Sequence, residues 1–198
     1  MKIGICGGGP VDIKLDSTLD YIGVDHGVDT LSKQHIIPIY AIGDFDSIER
    51  KELLKQLSIT TLPKIKDDTD MEAALLYAFD QGYDEIYLYG VTGGRLDHFM
   101  AVIALLQQFP HRNIHIIDSQ NDISILESGS HSIKQDQYDY FSLFAFVDTL
   151  VSLDSCMYPL NQYLLKKDDP LCVSNQWLSK EVNITVDQNI LFIRSKNK

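Results

Sequence analysis

The sequence predicts an α/β domain with a largely parallel, Rossmann-like sheet over residues 1–120, followed by an antiparallel β-sandwich domain over residues 121–198. Up to about residue 118, short apolar runs alternate with stretches of helical periodicity, which is typical of a parallel sheet covered by helices. Beyond that point, short apolar runs are separated by turn residues, as in small antiparallel sandwiches and barrels. A length of 198 residues, 44% of them hydrophobic, suits one large or two small domains.

The first half contains six predicted strands and two predicted helices. Apolar residues recur at helical spacing over 70–81 and 96–108, and these stretches are the predicted helices. The third strand is limited at its start by Pro38, which has no N–H to donate. Ligands of such sheets bind beyond the carboxyl ends of the strands, so we expect a binding site in the loops there. The apolar runs that predict the strands are 3–6, 21–24, 36–42, 59–62, 85–89 and 114–117.

The second half is read as short strands joined by turns. The segment 128–130, Ser-Gly-Ser, is a predicted turn, and 187–189, Asp-Gln-Asn, predicts a hairpin connection. The predicted strands are 123–126, 140–147, 150–153, 184–186 and 190–193.

Composition excludes several classes of protein. The net charge of −11 and the pI near 4.8 argue against a nucleic-acid surface, which needs a basic stripe. No apolar run approaches the roughly 20 residues of a membrane span, and the first apolar stretch is too short for a signal peptide. Cys6, Cys156 and Cys172 are odd in number and widely spaced, so we expect free thiols in a cytoplasmic protein.

Two aspartates directly follow the third predicted strand, in Gly43-Asp44-Phe45-Asp46-Ser47. Asp44 and Asp46 point the same way if the backbone stays extended, and two neighbouring carboxylates repel unless a cation lies between them. A divalent cation with oxygen ligands fits this pair. A solvated turn with an aspartate helix cap explains it equally simply.

A second acidic cluster follows the fourth predicted strand, in Lys64-Ile65-Lys66-Asp67-Asp68-Thr69-Asp70-Met71-Glu72. Thr69 and Glu72 form a capping-box pattern, and Asp70 in the first helical turn is favoured by the helix dipole. Capping does not explain three aspartates beside two lysines. This combination is explained if one of the aspartates faces a metal ion and the lysines face phosphate.

The fifth predicted strand ends in Gly90-Val91-Thr92-Gly93-Gly94-Arg95-Leu96-Asp97-His98. Gly93 and Gly94 allow close backbone approach, and a helix that begins near Arg95 supplies free N–H groups for an anion. Arg95 adds forked donors for phosphate, and Asp97 adds an oxygen ligand. The alternative is an ordinary turn with an Arg–Asp surface pair, and His98 is equally suited to packing or to a ligand role.

These loops predict one site at one edge of the sheet. The glycine run after the first strand includes Gly8 and Gly9, which suit a tight turn or a close approach to a nucleotide, although the run is neither G-x-G-x-x-G nor a Walker A loop. Carboxylates for a metal together with glycine amides, lysine and arginine for phosphate describe a Mg²⁺–polyphosphate site. A nucleotide that enters as its metal complex is compatible with the acidic chain.

The order and spacing of these motifs resemble the thiamine pyrophosphokinase family. That family carries a G-D-F-D-S run, a K-D-x-T-D-x-x-x-A helix start and a G-G-R-x-D-H turn, and this sequence has all three at residues 43–47, 66–74 and 93–98. Val173-Ser174-Asn175-Gln176-Trp177 looks like a fourth family motif near the C-terminus. The resemblance extends from residue 4 to residue 177.

The resemblance implies a homodimer that transfers a pyrophosphoryl group from ATP to the hydroxyl of thiamine, giving thiamine diphosphate and AMP, with sites completed by the opposite subunit. It implies Mg²⁺ ligands, and by position also the catalytic residues, at Asp44, Asp46, Asp70 and Asp97. It implies thiamine contacts at Ser174, Asn175 and Trp177. Lys66 and Arg95 would contact phosphate, and the remaining candidates for nucleotide binding are Gly8, Gly9, Asp25, Asp68, Thr69, Gly93, Gly94 and His98.

Two positions depart from the family pattern. The family usually has A-D-G-G after the second strand, whereas this chain has Val24-Asp25-His26-Gly27, so the His26 side chain occupies a place where a ligand would come close. Gln176 replaces a common glutamate and removes a possible charge partner for thiamine. Trp177, the single tryptophan, could stack on a cationic ring or could be a partly buried sandwich residue.

The expected chemistry is in-line attack by the substrate hydroxyl on the β-phosphorus, with positioning and electrostatics carrying most of the rate. The residues single out no general base, because a metal-bound aspartate is a poor one. Rival hypotheses are a diphosphokinase for another hydroxymethyl heterocycle such as a pterin, a phosphatase with Asp44 as nucleophile, and a nucleotide-sensing module without turnover.

Overall fold

The computed structural model describes residues 1–43, 58–61 and 69–197, with only the backbone described over 58–61. The chain divides into two compact units. The N-terminal unit comprises residues 1–108 and 112–119, and the C-terminal unit comprises residues 109–111 and the chain from Gln120 onward. No helix among the described residues is long and apolar enough to cross a membrane.

The described part of the N-terminal unit contains six strands and three helices. In chain order they are β1 (Lys2–Cys6), β2 (Asp20–Val24), α1 (Gly27–Lys33), β3 (Tyr40–Gly43), β4 (Ser58–Thr61), α2 (Asp70–Asp80), β5 (Glu85–Tyr89), α3 (Leu96–Gln108) and β6 (Asn113–Ile117).

All six strands of this unit run parallel, in the order β6–β5–β1–β2–β3–β4. In the registers of β1, Cys6 is level with Gly23 of β2 and with Tyr89 of β5. The carboxyl ends of the three strands therefore meet at one edge of the sheet, and the loops that follow them start side by side.

The predicted helices 70–81 and 96–108 are confirmed as α2 and α3. Thr69 caps α2, because its hydroxyl accepts a hydrogen bond from the Glu72 N–H at 3.1 Å. The reciprocal half of the predicted capping box is not formed among the described residues, since the Glu72 carboxylate accepts from Gln108 Nε2 at 2.8 Å. Helix α2 packs on β1, β2 and β3, and its buried face consists of Met71, Ala74, Leu75 and Ala78.

Helix α1 is absent from the sequence prediction, and β3 is shorter than the predicted strand 36–42. His35 adopts a left-handed conformation at φ 60°, and Ile36 N–H donates to Leu31 O at 2.9 Å. In this pattern of helix termination, the buried residue Ile36 belongs to the end of α1 and not to the strand. With Pro38 following, the strand begins only at Tyr40.

Gly27 brings α1 against β1 through a backbone contact. A side chain at this position would overlap the carbonyl of Cys6 at the end of β1. Only glycine allows that approach, which explains why the chain turns from β2 into α1 at this residue.

The strands of the C-terminal unit pair antiparallel in two series, ordered β12–β9–β14–β7 and β11–β10–β13–β8, the second of which is a sheet of its own. The buried side chains of both series form one hydrophobic cluster. The strands are β7 (Asn121–Leu126), β8 (Gly129–Lys134), β9 (Tyr140–Ala145), β10 (Thr149–Asp154), β11 (Leu160–Leu165), β12 (Asn175–Gln176), β13 (Glu181–Val186) and β14 (Ile190–Ser195).

Three of these strands have no counterpart among the predicted ones. β8 and β11 lie at the two edges of their sheet and expose at least half of their residues, so neither sequence is apolar along the whole strand. β8 begins at Gly129, inside the predicted turn 128–130, so only residue 128 of that turn precedes the strand. β12 has only two residues, which is too short for any periodicity to appear.

The expectation of free thiols is confirmed. Cys6, Cys156 and Cys172 are all buried and form no disulfide. Burial raises the pKa of Cys6 to about 12 and that of Cys172 to about 11, so neither is a reactive thiolate at neutral pH.

Candidate active site

A cavity of about 650 Å³ lies in the N-terminal unit, where the carboxyl ends of β1, β2 and β5 meet. Its walls come from the loops that follow these three strands and from the first turns of α2 and α3. This is the size and the position expected for a small-molecule site in an α/β unit.

The glycine run after β1 forms one wall. Gly7 N–H donates to Tyr89 O, and Gly9 N–H donates to Gly90 O, both at 2.8 Å, so this loop is fastened to the loop after β5. A Cβ at Gly9 would lie 2.6 Å from the Gly90 carbonyl oxygen. Between these two anchored residues, the Gly8 amide has no hydrogen-bond partner among residues 1–43 and 69–197.

Asp25 lies at the end of β2 in a left-handed conformation, at φ 49°. Its N–H donates to Ile42 O at 3.0 Å, which ties the turn to β3. Gly43 at the end of β3 has φ 148°, and a side chain there would overlap the Asp25 carboxylate. Asp25 therefore lines the cavity directly beside the residue that precedes Asp44 in the chain.

Helix α2 contributes its first turn to the cavity wall. Thr69, Asp70 and Met71 all line the cavity, and Asp70 is half-buried. The capping bond of Thr69 fixes this turn, and the positive end of the helix dipole stabilises the Asp70 carboxylate.

Arg95 and Asp97 form a paired group at the start of α3. Arg95 Nε lies 3.1 Å and Nη2 2.5 Å from the two Asp97 oxygens, and Asp97 Oδ1 also accepts from the His98 N–H at 3.0 Å. Hydrogen bonding from Arg95 lowers the pKa of Asp97 to about 2. The Arg95–Asp97 surface pair, which the sequence offers as an alternative to a ligand site, is thus formed. Both residues also line the cavity.

The structure brings most of the described candidates together. His98 and Gly94 also line the cavity, whereas Gly93 faces Pro10, because a Cβ on Gly93 would lie 3.0 Å from Pro10 Cγ. Asp44, Asp46, Lys66 and Asp68 lie outside the described residues. Within the described part of the chain, no group of three or more His, Cys, Asp or Glu side chains could hold a metal ion. Two of the four predicted Mg²⁺ ligands are not in that part.

Sequence reasoning missed the apolar half of the cavity. Val24 ends β2, Val91 and Thr92 follow β5, and helices α2 and α3 supply the other apolar residues of this wall. Helical periodicity shows which face of α3 is apolar but does not distinguish a core face from a pocket face. The apolar lining consists of Val24, Met71, Val91, Ala101, Val102 and Leu105.

The predicted thiamine contacts lie in the C-terminal unit, and two of the three side chains are buried there. Asn175 is 4% exposed, and its amide accepts from Tyr158 N–H at 3.1 Å and donates to Tyr158 O at 2.9 Å. Ser174 is exposed, has φ 59°, and donates its N–H to Ser142 Oγ at 3.0 Å.

Trp177 is 8% exposed and belongs to the hydrophobic cluster of the C-terminal unit. Its ring meets Phe141 edge to face at a centroid distance of 4.8 Å, and its Nε1–H donates to Ile133 O at 3.4 Å. This geometry favours the sandwich-core reading of Trp177, because little of the indole face is open to a ligand in a single chain.

The fold and the cavity define a two-unit protein with a small-molecule site at the strand ends of its α/β unit. The thiamin pyrophosphokinase catalytic domain matches residues 14–117, and the thiamin pyrophosphokinase vitamin B1 binding domain matches residues 130–191. The chain belongs to the thiamin pyrophosphokinase family.

Individual relatives agree with this assignment. The thiamine pyrophosphokinase of Bacillus subtilis is 35% identical over an alignment of 206 positions, which covers 96% of this chain and 96% of that protein. A crystal structure of the Bacillus subtilis protein superposes with a TM-score of 0.91 at 33% identity over the whole of both chains. The Geobacillus thermodenitrificans thiamin pyrophosphokinase gives 0.90 at 31% identity, covering 100% of this chain and 99% of the other.

We expect Arg95→Gln to raise the pKa of Asp97 from about 2 toward the ordinary carboxyl value of about 3.9. The glutamine loses the charge and most of the donors that stabilise the ionised carboxylate. The midpoint is measured by carbon-detected NMR titration, with Asp97→Asn identifying the resonance. Arg112→Gln is the matched control, because Arg112 packs over the Phe79 ring instead. An Asp97 midpoint that is the same in wild type and Arg95→Gln would show that the pair does not form in solution.

Trp177→Ala should lower the free energy of unfolding by about 3–5 kcal/mol, because it leaves a cavity in the core of the C-terminal unit. Trp177→Phe should cost less, since it keeps the aromatic contact with Phe141. Urea unfolding followed by circular dichroism measures both. A raised thiamine KM in Trp177→Ala at unchanged stability would contradict the core role and support direct contact with thiamine.

Proposed function

We propose that this chain is a thiamine pyrophosphokinase that transfers a pyrophosphoryl group from ATP to the hydroxyl of thiamine, giving thiamine diphosphate and AMP. Membership of the family supports the reaction. The observation that carries the proposal is the cavity of the N-terminal unit. It combines a glycine loop, three carboxylates and an arginine with an apolar wall, as a nucleotide site requires.

We assign separate tasks to the two parts of the chain. Residues 1–120 would form the Rossmann-like Mg-ATP binding domain, and residues 121–198 would bind thiamine and form the dimer contact. The parallel order β6–β5–β1–β2–β3–β4 supports the first assignment. The match of residues 130–191 to a vitamin B1 binding domain supports the second. The buried free cysteines suit a cytoplasmic location.

The chemistry of the donors fits Mg²⁺. Asp25, Asp70 and Asp97 offer hard oxygen atoms to a single cavity. Asp44 and Asp46 follow Gly43, whose backbone lies against Asp25. We propose that Asp44, Asp46, Asp70 and Asp97 hold the ion, which when bound would neutralise charge on the phosphates.

Arg95 and Asp97 form hydrogen bonds with each other in the structure. A phosphate offers Arg95 the same forked arrangement of acceptors that Asp97 does. When the nucleotide arrives, Arg95 would exchange Asp97 for phosphate oxygens, and the released carboxylate would turn to the metal. Both groups are exposed, so this exchange does not require the core to move.

The remaining residues position the substrates. The Gly8 amide and the start of α3 would face the phosphate chain, and the apolar wall would accept the base. The thiamine hydroxyl would then attack the β-phosphorus in line with the departing AMP, and its proton would leave for a carboxylate or for water.

A homodimer is proposed from the surface of the C-terminal unit. Large apolar side chains are exposed around the Ser174–Trp177 motif, and backbone hydrogen bonds join residues 155–157 to residues 176–178. Apolar surface of this kind is usually covered in an assembly. A second copy would cover it and complete the thiamine site. The exposed side chains are Met157, Tyr158, Leu171, Val173 and Leu178.

The proposed function is tested by product analysis of the purified protein with Mg-ATP, with and without thiamine. Equal amounts of AMP and thiamine diphosphate, formed only when both substrates are present, are the expected result. Steady phosphate release without an acceptor would instead support a phosphatase. Turnover with a hydroxymethyl pterin but not with thiamine would move the acceptor to another heterocycle. ATP binding without turnover with either acceptor would support a sensing module.

Asp70→Asn should reduce turnover roughly 10²-fold or more, because it removes a charge from the cavity and leaves the capped helix intact. Asp80→Asn is the matched control, since Asp80 ends the same helix, is exposed and does not line the cavity. Circular dichroism and the melting temperature verify folding of both variants. Normal turnover in Asp70→Asn would remove Asp70 from the metal site.

A further inference from the structure

His26 places a basic ring in the wall of the cavity. It follows β2, precedes α1, and lines the cavity together with Asp25 and Gly8. A Cβ on Gly8 would lie 3.4 Å from the His26 Cβ, so the imidazole stands beside the loop whose Gly8 amide has no partner among the described residues. The His26 side chain is 48% exposed, which leaves it accessible from the cavity.

A buried carboxylate holds one nitrogen of this ring. His26 Nδ1 lies 3.5 Å from Asp29 Oδ2, and the Asp29 side chain is only 5% exposed. A proton on Nδ1 suits this position, because a lone pair there would face the carboxylate unfavourably. Nε2 is then the nitrogen that remains for a ligand, since the described residues give it no partner.

The charges of the cavity indicate which ligand atoms suit Nε2. Asp25, Asp70 and Asp97 are acidic, and the one arginine among the described lining residues is paired with Asp97. A phosphate chain entering this cavity needs donors that are not already committed. The Gly8 N–H is one such donor, and the His26 ring, with protons on both nitrogens beside a phosphate, would supply a second at Nε2 for the oxygens of the same phosphate.

We propose that His26 is a nucleotide-binding residue that contacts the phosphate chain of ATP through Nε2, together with the Gly8 N–H, and that Asp29 positions its ring. This inference rests on the proposed function insofar as it takes ATP to be the ligand of the cavity. It assigns to His26 an effect on nucleotide affinity and none on thiamine affinity.

The test compares wild type with His26→Ala, His26→Gln and His26→Lys. Binding of the ATP analogue with a methylene bridge between the α- and β-phosphates, which replaces the bond that pyrophosphoryl transfer breaks, is measured by calorimetry in the presence of Mg²⁺. Loss of a charge-assisted hydrogen bond should weaken binding of the analogue roughly tenfold in His26→Ala. His26→Lys should restore part of the affinity, because it returns a cationic donor. The ATP KM should follow the same order, with the thiamine KM unchanged.

His35→Asn is the matched control. His35 is an exposed histidine at the other end of α1 that does not line the cavity, and asparagine tolerates its φ of 60°. Its affinity for the analogue should equal that of wild type. If His26→Ala lowers the melting temperature, His26→Gln is compared with wild type at a temperature where both are folded. A merely structural role would leave the affinity of folded His26→Gln unchanged.

The outcomes separate this inference from the proposed function. Equal analogue affinity in wild type and all His26 variants, in a protein that makes thiamine diphosphate, overturns the role of His26 alone. A wild-type protein that binds the analogue but makes no thiamine diphosphate overturns the reaction, and the His26→Ala affinity still decides the contact. Failure of wild type to bind the analogue overturns both.

Discussion

The close approach of backbones at the carboxyl ends of β1, β2 and β5 is the constraint on which the candidate site depends. Gly27 lies against the Cys6 carbonyl, and the Gly7 and Gly9 amides bond to the carbonyls of Tyr89 and Gly90. The loop after β1 is thus hydrogen-bonded to the end of β5, and the start of α1 after β2 packs against the end of β1. Side chains that are distant in sequence then face one cavity, without long loops whose ordering would cost conformational entropy.

Local structure and site chemistry use the same groups. The Thr69 cap that starts α2 also fixes the turn that carries Asp70, and the helix dipole favours an acidic side chain in that turn. The bidentate contact that lowers the pKa of Asp97 likewise holds Arg95 at the cavity rim. In an acidic chain of net charge −11, these contacts stabilise carboxylates that line the same cavity.

Where a sequence signal was strong, prediction agreed with the structure. Helices α2 and α3 follow from apolar residues at helical spacing, and the convergence of Gly8, Asp25, Asp70 and Arg95 follows from the rule that parallel strands end at one edge. Helix α1 was missed because it is short and is ended by the left-handed His35. β8 and β11 were missed because edge strands need no apolar run. Tertiary context alone decided these elements.

The Ser174–Trp177 motif shows why a residue role is harder to predict than a residue position. The Asn175 amide satisfies both the N–H and the carbonyl of Tyr158, and Trp177 anchors the next turn in the core. Ser174 accommodates a left-handed backbone between these anchors. Tyr158 and Leu178 are each 63% exposed, although they adjoin these buried residues. Asn175 and Trp177 therefore shape this loop, and the exposed side chains that it presents are further candidates for contact with thiamine or with a second subunit.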